Sequence, residues 1–291
     1  MKILIIANLN SGKGKAKEYL PEIKKELKPG NELKIYLTKD KEHTINFVKK
    51  HCNNFDMLIV LGGDGTMNEV VNGYVLSKSK TPVGYIPTGS TNDFATSLKL
   101  PKAPCEACKN FMNLNTRKID IGSFNGRYFT YVAAAGVFSE TSYSTPPELK
   151  QKLGHFAYVL GGVKSLPAIK PLHLRITVDG SVIEDDYLIA LISNSTSVGG
   201  VFTFDESLVM LDDGKFEVAL LKEPEEPNEF GSMLKDIIYR NYNGDYLTLV
   251  SGAEILLESP SPVAWSLDGE YGGEHTVMKV VNLPSALNLL V

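Results

Sequence analysis

The feature that most restricts the fold of this chain is the alternation of short apolar runs and amphipathic stretches over its first third. Residues 3–7 and 57–61 are continuous apolar runs, which is typical of strands in a parallel sheet covered on both faces. Residues 32–37 and 83–86 are further predicted strands, and a helical pattern follows each run. Strands that alternate with helices in this way predict an α/β domain with a parallel sheet and right-handed crossovers. The predicted helices are residues 16–27, 42–51, 66–76 and 92–98.

The pattern changes near residue 120, after which strands dominate and short polar turns such as Asp179-Gly180 connect them. Turns of this kind join antiparallel strands. A chain of 291 residues favours two domains, so we predict a first domain at residues 1–120 and a β-rich domain at residues 121–291. The pattern leaves open whether the last strand returns to the first domain. The predicted strands are residues 128–133, 173–178, 186–193, 215–221, 246–250, 253–258 and 277–281, and the predicted helices are residues 149–166 and 227–239.

The composition argues against several classes of function. The net charge is -4, from 30 basic and 34 acidic residues, so no overall positive field attracts nucleic acid. No stretch approaches the roughly 18 apolar residues that a membrane-spanning helix needs, and the first apolar run ends too early for a secretion signal. The three cysteines suit a reducing cytoplasm. Cys105 and Cys108 are expected to be ordinary thiols, since a zinc site would need a second pair.

Three glycines stand within residues 62–65, directly after the apolar run 57–61. Glycine lets a backbone adopt positive φ and approach a ligand closely. A helix that begins at Thr66 would aim its free N–H groups at this turn and make a cradle for phosphate. Asp64 does not fit such a cradle alone, because a carboxylate repels phosphate. The Asp64 carboxylate fits if Mg²⁺ lies between it and the phosphate, or if the reaction needs a base. The alternative explanation of these residues is a tight turn with an Asp cap and no ligand.

Two further turns follow predicted strands at the edge where an open parallel sheet binds its ligands. Residues 87–95 crowd hydroxyl and amide side chains at a helix start, and helix capping alone would explain these residue types. Residues 8–15 include Gly12, Lys13 and Gly14 and could wrap the phosphates of a nucleotide. They do not match the phosphate loop G-x-x-x-x-G-K-[ST], and a solvated basic loop is an equal alternative.

Taken together, these motifs resemble the catalytic domain of diacylglycerol kinases and related bacterial lipid kinases. The match covers the glycine turn and its helix at residues 62–73, residues 87–95 against P-x-G-T-x-N-D-F-A, and residues 8–12 against N-P-x-S-G. Residues 211–214 and 268–273 resemble two later motifs in the expected order. The resemblance implies an NAD kinase/diacylglycerol kinase-like fold, with an N-terminal α/β domain that has a parallel sheet and a C-terminal antiparallel β-sandwich domain that holds substrate.

The resemblance also implies a reaction: ATP and Mg²⁺ are used to phosphorylate a lipid hydroxyl, with diacylglycerol as the expected acceptor. Asp64 and Asp93, with Asp120 nearby, would form the acidic network that organises the catalytic Mg²⁺. Glu270 would be the general base that accepts the proton of the attacking hydroxyl. The residues implied to line ATP are Asn8, Leu9, Asn10, Ser11, Gly12, Lys13, Thr38, Gly63, Asp64, Gly65, Thr66, Met67, Asn68, Glu69 and Ser90.

A second, structural Mg²⁺ is implied at Asp213, together with the main-chain carbonyls of Met210 and Lys215. The chain departs from the family pattern nearby: Ser207-Leu208-Val209 stands where the family has P-x-A, and its glycine run is only Gly199-Gly200. These departures weaken the assignment of the acceptor more than that of ATP.

Other functions remain as alternatives. The acceptor could be another lipid alcohol, of phosphatidylglycerol or sphingoid type. An NAD kinase shares the glycine turn but lacks the helix start at Asn92-Asp93 and the late Asp-Gly-Glu. A regulator that binds nucleotide or lipid without turnover is the third alternative, although Asp64, Asp93 and Glu270 are all present.

A lipid kinase without a spanning segment would meet its substrate by peripheral contact with the inner membrane face. Residues 155–163 could lie against lipid or line an acyl pocket, although a buried helix is the commoner origin of such a stretch. The partners that we expect are therefore ATP and a lipid at a membrane surface, in a cytoplasmic protein with no nucleic-acid partner. A homodimer is a further option, because the family includes dimers.

Overall fold

The computed structural model describes residues 1–136, 170–198, 202–205 and 207–291. The chain forms two compact units. The first unit comprises Met1–Ile121, Arg127–Thr130 and Leu283–Val291, and the second comprises Gly122–Gly126 and Tyr131–Asn282.

The first unit is built on four parallel strands. They are β1 (Lys2–Ala7), β2 (Glu32–Leu37), β3 (Met57–Gly62) and β4 (Val83–Pro87). Their order in the sheet is β4-β3-β1-β2, and each neighbouring pair is parallel. The central strands β1 and β3 are almost wholly buried, as their continuous apolar sequences require. Two further strands, β5 (Thr116–Phe124) and β6 (Arg127–Phe129), follow the helices of this unit.

Helices pack on this sheet. They are α1 (Lys15–Leu27), α2 (Lys41–His51), α3 (Asp64–Leu76), α4 (Asp93–Ser97) and α5 (Pro104–Met112). Helices α1 and α5 cover a core that includes Ile5, Ile59 and Phe111. Helix α3 packs on β3, and α2 packs on α3. The sheet therefore has its apolar side chains covered, and the turns at its carboxyl edge are what the first unit offers to a ligand.

Helices α3 and α4 both begin with an aspartate. Helix α3 begins at Asp64, before the predicted start at Thr66, and α4 begins at Asp93 rather than at residue 92. The prediction was wrong at α3 because the glycines were assigned wholly to the turn, and at α4 because Asn92 has φ 53° and precedes the helix. A carboxylate in the first turn interacts favourably with the positive end of the helix dipole, so the aspartate can belong to the helix itself.

The second unit consists mainly of antiparallel strands. They are β7 (Val132–Gly136), β8 (Leu172–Val178), β9 (Ser181–Ser193), β10 (Ser197–Val198), β11 (Phe202–Thr203), β12 (Phe216–Lys222), β13 (Leu247–Gly252) and β14 (Glu254–Leu267), with one helix, α6 (Phe230–Tyr239), in the described part. Strand β9 pairs with β7, β8 and β12, and β14 pairs with β7 and β8. The side chains of Phe124 and Trp265 meet in the core, with ring centroids 5.1 Å apart.

The predicted turn Asp179-Gly180 connects β8 to β9, and both residues have positive φ, 45° and 89°. Two positive φ values in a two-residue loop match the twist of a hairpin. The Asp179 carboxylate also accepts hydrogen bonds from the main-chain N–H groups of Ala253 and Glu254, at 3.1 and 2.9 Å. This turn prediction is therefore confirmed, and the same residue ties the hairpin to the start of β14.

The last strand, β15 (Glu270–Leu290), contributes residues to both units, because Leu283–Val291 belongs to the first. There Leu289 pairs in parallel with Val83 of β4. Also in the first unit, Oδ1 of the buried Asp120 accepts a hydrogen bond from the N–H of Ser285 at 2.7 Å. Asp120, which the resemblance places near an acidic network, thus has a structural contact that holds the end of the chain.

No helix within the described ranges is long and apolar enough to cross a membrane. The predicted helix at residues 149–166, the segment 155–163 that we considered for lipid contact, and Gly199-Gly200 lie outside the residues that the structure describes.

Gly73 lets α2 approach α3 closely. A Cβ at this position would lie 2.6 Å from the Ile45 carbonyl oxygen and 2.7 Å from the Val48 side chain. Because a backbone atom is in the way, we expect Gly73→Ala to lower the free energy of unfolding by about 1–3 kcal/mol in urea denaturation. The control is Gly231→Ala in α6, where nothing lies within 4 Å; it should be neutral or stabilising by up to about 1 kcal/mol. Equal effects of the two substitutions would contradict the close packing.

Candidate active site

The three turns that the sequence singles out lie along one edge of the parallel sheet. We call residues 8–14 the first turn, residues 62–66 the second turn and residues 87–93 the third turn. They follow β1, β3 and β4, which are neighbours in the sheet. The carboxyl ends of parallel strands meet at the same edge, where such sheets bind ligands. The contacts among the turns decide whether they form one surface.

The first and third turns touch through Gly12. This residue has φ +61°, and a Cβ on it would lie 1.8 Å from the carbonyl oxygen of Thr88. Only glycine leaves room for that carbonyl and adopts the left-handed backbone without strain. Beside this contact, the Thr88 hydroxyl donates a hydrogen bond to Oγ of Ser11 at 3.0 Å.

Asn8 connects the first turn to the second. Its side-chain amide donates to Oγ1 of Thr66 at 3.2 Å, and its Oδ1 accepts from the N–H of Asn10 at 3.1 Å. Its main-chain N–H donates to the carbonyl of Leu61 at 2.9 Å. The short amide side chain therefore orients the Thr66 hydroxyl and closes the first turn at the same time.

The second and third turns pack backbone against backbone. A Cβ on Gly89 would lie 2.8 Å from Cα of Gly63, so neither residue has room for a side chain. The N–H of Thr88 donates to the carbonyl of Gly62 at 2.8 Å, and the Thr91 hydroxyl donates to Oδ2 of Asp64 at 3.2 Å. The three turns thus form one continuous surface.

The N-terminus of α3 lies at this surface. The first hydrogen bond at this end of the helix runs from the N–H of Met67 to the carbonyl of Gly63, at 3.0 Å. The N–H groups of Asp64, Gly65 and Thr66 precede that bond and have no carbonyl of their own helix to bind. Main-chain N–H groups at the positive end of a helix are a site for phosphate.

Two acidic residues border the surface. Asp64 is 9% exposed and Asp93 is 2% exposed, and each is the first residue of its helix. Both negative charges act on the phenol of Tyr85, whose pKa is raised well above its ordinary value by burial first and then by Asp64 and Asp93. Carboxylate oxygens beside a phosphate surface are the ligands that Mg²⁺ prefers, so these residues fit a divalent cation that accompanies a nucleotide.

Several residues implied to line ATP serve the fold as well. The Met67 side chain is fully buried, and Leu9 packs against the core under α1 and α5. The Asn68 amide donates to the carbonyl of Tyr128 at 3.0 Å, and Asn72 donates to the same carbonyl at 3.0 Å. Asn68 and Asn72 therefore hold β6 against α3, and Asn68 contributes to the site by positioning that helix.

The remaining predicted residues lie on the turns or beside them. Lys13 and Ser90 are exposed, where their side chains are free to reach a ligand in solvent. Thr38 follows β2 and donates its N–H to the carbonyl of Ala7 at 3.0 Å. Glu69 is half-buried on α3. Burial first, and then the charges of Asp40 and Glu69, raise the pKa of Tyr36.

In the second unit, Glu270 begins β15 directly after a two-residue hairpin turn. The turn residues Asp268 and Gly269 have φ values of 51° and 82°, and Leu267 pairs with Glu270. Oδ1 of the buried Asp268 accepts hydrogen bonds from the N–H groups of Tyr131 and Val132, at 3.0 and 3.1 Å. Asp268 therefore anchors the turn that carries Glu270. The Asp-Gly pair forms a hairpin turn, and this is compatible with a role for Glu270.

The turn at Asp213 offers oxygen atoms to a cation. Oδ1 of Asp213 accepts from the N–H of Lys215 at 3.0 Å, and the Lys215 carbonyl accepts from the Asn282 amide at 3.1 Å. Glu217 is 1% exposed, and Oε2 of its carboxyl lacks a hydrogen-bond partner. Burial, and then the charge of Asp213, raises the pKa of Glu217 to about 8.

A hard cation fits this donor set, since it prefers oxygen and would relieve the repulsion between the two acids. It would need main-chain carbonyls as well. In the ranges that the structure describes, no group of three or more His, Cys, Asp or Glu side chains is placed to hold a metal.

Sequence reasoning missed three residues that shape these sites. Tyr85 was counted as an ordinary member of an apolar strand. Asp268 was counted only as part of the motif at residues 268–273. Glu217 left a usable signal, because it is a lone acid inside the predicted strand 215–221, and a charged residue in such a run is rarely buried without a reason.

Two sequence profiles match the chain. The profile of the diacylglycerol kinase catalytic domain matches residues 2–124, and the profile of the YegS C-terminal NAD kinase beta sandwich-like domain matches residues 132–291. Among curated relatives, a diacylglycerol kinase of Staphylococcus aureus (strain bovine RF122 / ET3-1) is 35% identical over 277 residues, which cover 93% of this chain and 86% of the relative. A diacylglycerol kinase of Bacillus subtilis (strain 168) is 32% identical over 274 residues, covering 92% of this chain and 89% of the relative.

The solved structures agree with the sequence relatives. A candidate diacylglycerol kinase of Bacillus anthracis str. Sterne superposes with a TM-score of 0.83 and 26% identity, over 99% of this chain and 94% of that one. A diacylglycerol kinase structure from the same strain has a TM-score of 0.75 at 22% identity, over 99% and 96% of the two chains, and shows the shared fold. With matching profiles over both halves and relatives above 30% identity over most of its length, the chain belongs to the diacylglycerol kinase family of ATP-dependent lipid kinases.

Proposed function

We propose that this protein transfers the γ-phosphate of ATP to the hydroxyl of diacylglycerol and so produces phosphatidic acid. The observation that carries the proposal is the convergence of the three turns beside two buried carboxylates, since this combines a phosphate cradle with the ligands of a divalent cation. Membership of the diacylglycerol kinase family supports the choice of acceptor.

The residues of the first unit would bind and orient the donor. Phosphoryl transfer asks a protein mainly to position its reactants and to neutralise charge. The N–H groups at the start of α3 and the Lys13 ammonium would hold phosphate oxygens, and Thr66, oriented by Asn8, would add a hydroxyl. Asp64 and Asp93 would hold Mg²⁺, which when bound offsets the negative charge of the phosphates.

The acceptor needs a base, and Glu270 is the residue that we assign to it. A carboxylate can accept the proton of an attacking hydroxyl when it stands within hydrogen-bond reach. The anchored hairpin gives Glu270 a fixed main-chain position, because Asp268 ties the turn to the start of β7.

We assign a second, structural Mg²⁺ to Asp213 and the carbonyls of Met210 and Lys215. The support is the donor set at that turn and the buried carboxyl of Glu217 beside it. We also assign ATP to the domain at residues 1–120 and the acceptor to the domain at residues 121–291. We expect the protein to meet its lipid at the inner membrane face, from the cytoplasmic side.

A homodimer stays a prediction, which light scattering of the purified protein would test.

The proposed reaction is tested with purified protein, Mg²⁺, ATP labelled in its γ-phosphate and a panel of acceptors. The panel holds diacylglycerol, phosphatidylglycerol and a sphingoid base in mixed micelles, with NAD in solution, and mass spectrometry identifies the labelled product. We expect phosphatidic acid. Label on another lipid alone would contradict diacylglycerol as acceptor, and label on none of them would contradict the kinase.

Removing the proposed base should stop transfer and leave nucleotide binding intact. Glu270→Gln keeps the shape of the side chain but cannot accept a proton, so we expect the rate to fall about 10²–10⁴-fold while the affinity for Mg²⁺-ADP is unchanged. Steady-state kinetics and calorimetry measure the two effects. The control is Glu274→Gln, at an exposed position on the same strand, which should keep full activity. Normal turnover by Glu270→Gln would refute the base role.

Separating the first and third turns should impair nucleotide binding. Gly12→Ala places a Cβ where the Thr88 carbonyl lies, so the turns must part, and a displacement of about 1 Å can cost about 10²-fold in rate. We expect a matching loss of affinity for Mg²⁺-ADP. Gly14→Ala is the control, because Gly14 also has positive φ, +94°, but nothing within 4 Å. If both variants bind the nucleotide equally well, the contact does not matter for the site.

The structural cation can be tested without nucleotide or activity. Mg²⁺ that binds only the folded protein should raise its melting temperature, and Asp213→Asn should reduce this rise because a carboxylate ligand is lost. Asp212→Asn changes the exposed neighbouring residue and should leave the rise unchanged. If Mg²⁺ raises the melting temperature of Asp213→Asn as much as that of the unsubstituted protein, Asp213 is not a ligand of the cation.

A further inference from the structure

Tyr85 is a buried tyrosine whose hydroxyl lacks a partner. The residue lies on β4 and is 0% exposed. Its hydroxyl oxygen is buried and makes no hydrogen bond. Nearly all buried polar groups in proteins are hydrogen-bonded, and an exception calls for an explanation such as an absent water or ion. The local sequence offers none, because phenylalanine would fill the same space without a polar atom.

The surroundings of Tyr85 indicate where the missing partner belongs. Tyr85 pairs with Val60 in the register of β4 against β3, and Pro87, two residues later, ends the strand at the edge where the turns converge. Its ring centroid lies 6.3 Å from that of Phe94, the residue after Asp93. The charges of Asp64 and Asp93 both act on its phenol. The hydroxyl is therefore buried below the edge where the turns converge, within range of the charges of the two carboxylates that we assign to Mg²⁺.

Tyr74 shows what a buried tyrosine with a purely structural role looks like in the same unit. It is 1% exposed on α3. Its hydroxyl interacts with the main chain of Asn288 and the side chain of Ser79, and burial raises its pKa to about 12. The fold thus satisfies one buried phenol and leaves the other without a bond. The difference follows their positions. Tyr74 lies in the last turn of α3, whereas Tyr85 lies within range of the charges of Asp64 and Asp93, which begin α3 and α4.

We propose that Tyr85 is a positioning residue whose hydroxyl acquires its hydrogen bonds only when a nucleotide and a hydrated divalent cation occupy the site. A phenol hydroxyl donates one hydrogen bond and can accept another, and Mg²⁺ in phosphate sites usually keeps several waters. The hydroxyl would donate to a carboxylate of the Asp64–Asp93 pair and accept from a water of the cation. The inference rests on the proposed function, because it requires the cation to bind with the nucleotide.

This arrangement predicts opposite effects on the free and the bound protein. In the free protein the unpartnered hydroxyl is unfavourable, so Tyr85→Phe should raise the melting temperature by about 2–4 °C. In the bound protein the hydroxyl contributes, so the same change should weaken Mg²⁺-ADP about tenfold and reduce the melting shift that Mg²⁺-ADP causes. The Michaelis constant for Mg²⁺-ATP should rise accordingly.

The control is Tyr74→Phe, which removes a hydroxyl that has partners. It should lower the melting temperature of the free protein and leave the affinity for Mg²⁺-ADP unchanged. Thermal scans with and without Mg²⁺-ADP, and calorimetry of Mg²⁺-ADP binding, measure all the variants.

If Tyr85→Phe binds Mg²⁺-ADP as tightly as the unsubstituted protein, the inference is overturned and the proposed function stands. A lower melting temperature of the free variant would overturn it as well, because the hydroxyl would then have a structural partner. If the unsubstituted protein does not bind Mg²⁺-ADP at all, the proposed function fails, and this inference fails with it.

Discussion

The candidate site depends on contacts between backbone segments that no side chain separates. Gly12 lies against the carbonyl of Thr88, and Gly63 lies against Gly89. At each place a Cβ would overlap with a neighbouring main-chain atom, so the turns can meet only if these residues are glycine. Because they meet, the first N–H groups of α3 lie at a surface made of three turns. A surface of backbone groups suits phosphate, which offers many acceptor oxygens and little shape for side chains to recognise.

The two buried aspartates give this surface a charge that phosphate alone would not favour. Their positions reduce the conflict, because Asp64 and Asp93 each begin a helix and the positive end of a helix dipole stabilises a carboxylate there. The Thr91 hydroxyl adds a hydrogen bond to Asp64. The free protein can therefore hold both acids in place, and the Mg²⁺ that we propose would bind with little rearrangement. Such preorganisation is what phosphoryl transfer requires of a protein.

Much of the first unit could be predicted from the sequence, because each signal was local. The continuous apolar runs became β1 and β3, and the glycine turn follows β3 as expected. The start of α3 was missed, because an aspartate after two glycines fits a turn and a first helical turn equally well. The structural role of Asn68 was missed for a different reason: its partner Tyr128 is distant in sequence, and no local pattern encodes such a contact.

The second unit was harder to interpret, since antiparallel strands bring together residues from distant parts of the sequence. The hairpin at Asp268-Gly269 was visible, yet the bonds from Tyr131 and Val132 to Asp268 were not. Those bonds decide whether Glu270 stands on a fixed turn or on a mobile one. The base that we propose must stay within hydrogen-bond reach of its proton, so Asp268, two residues before Glu270 on the hairpin, matters as much as Glu270 itself.

Tyr74 and Tyr85 show where local reasoning fails for a physical cause. Both are apolar by pattern and both are buried, so the sequence treats them alike. The fold satisfies the hydroxyl of Tyr74, as it does for most buried polar groups. It leaves the hydroxyl of Tyr85 unsatisfied within range of the charges of two carboxylates. Natural sequences usually break such rules at functional sites, and this disagreement at Tyr85 is why we infer that stability there has been given up for binding.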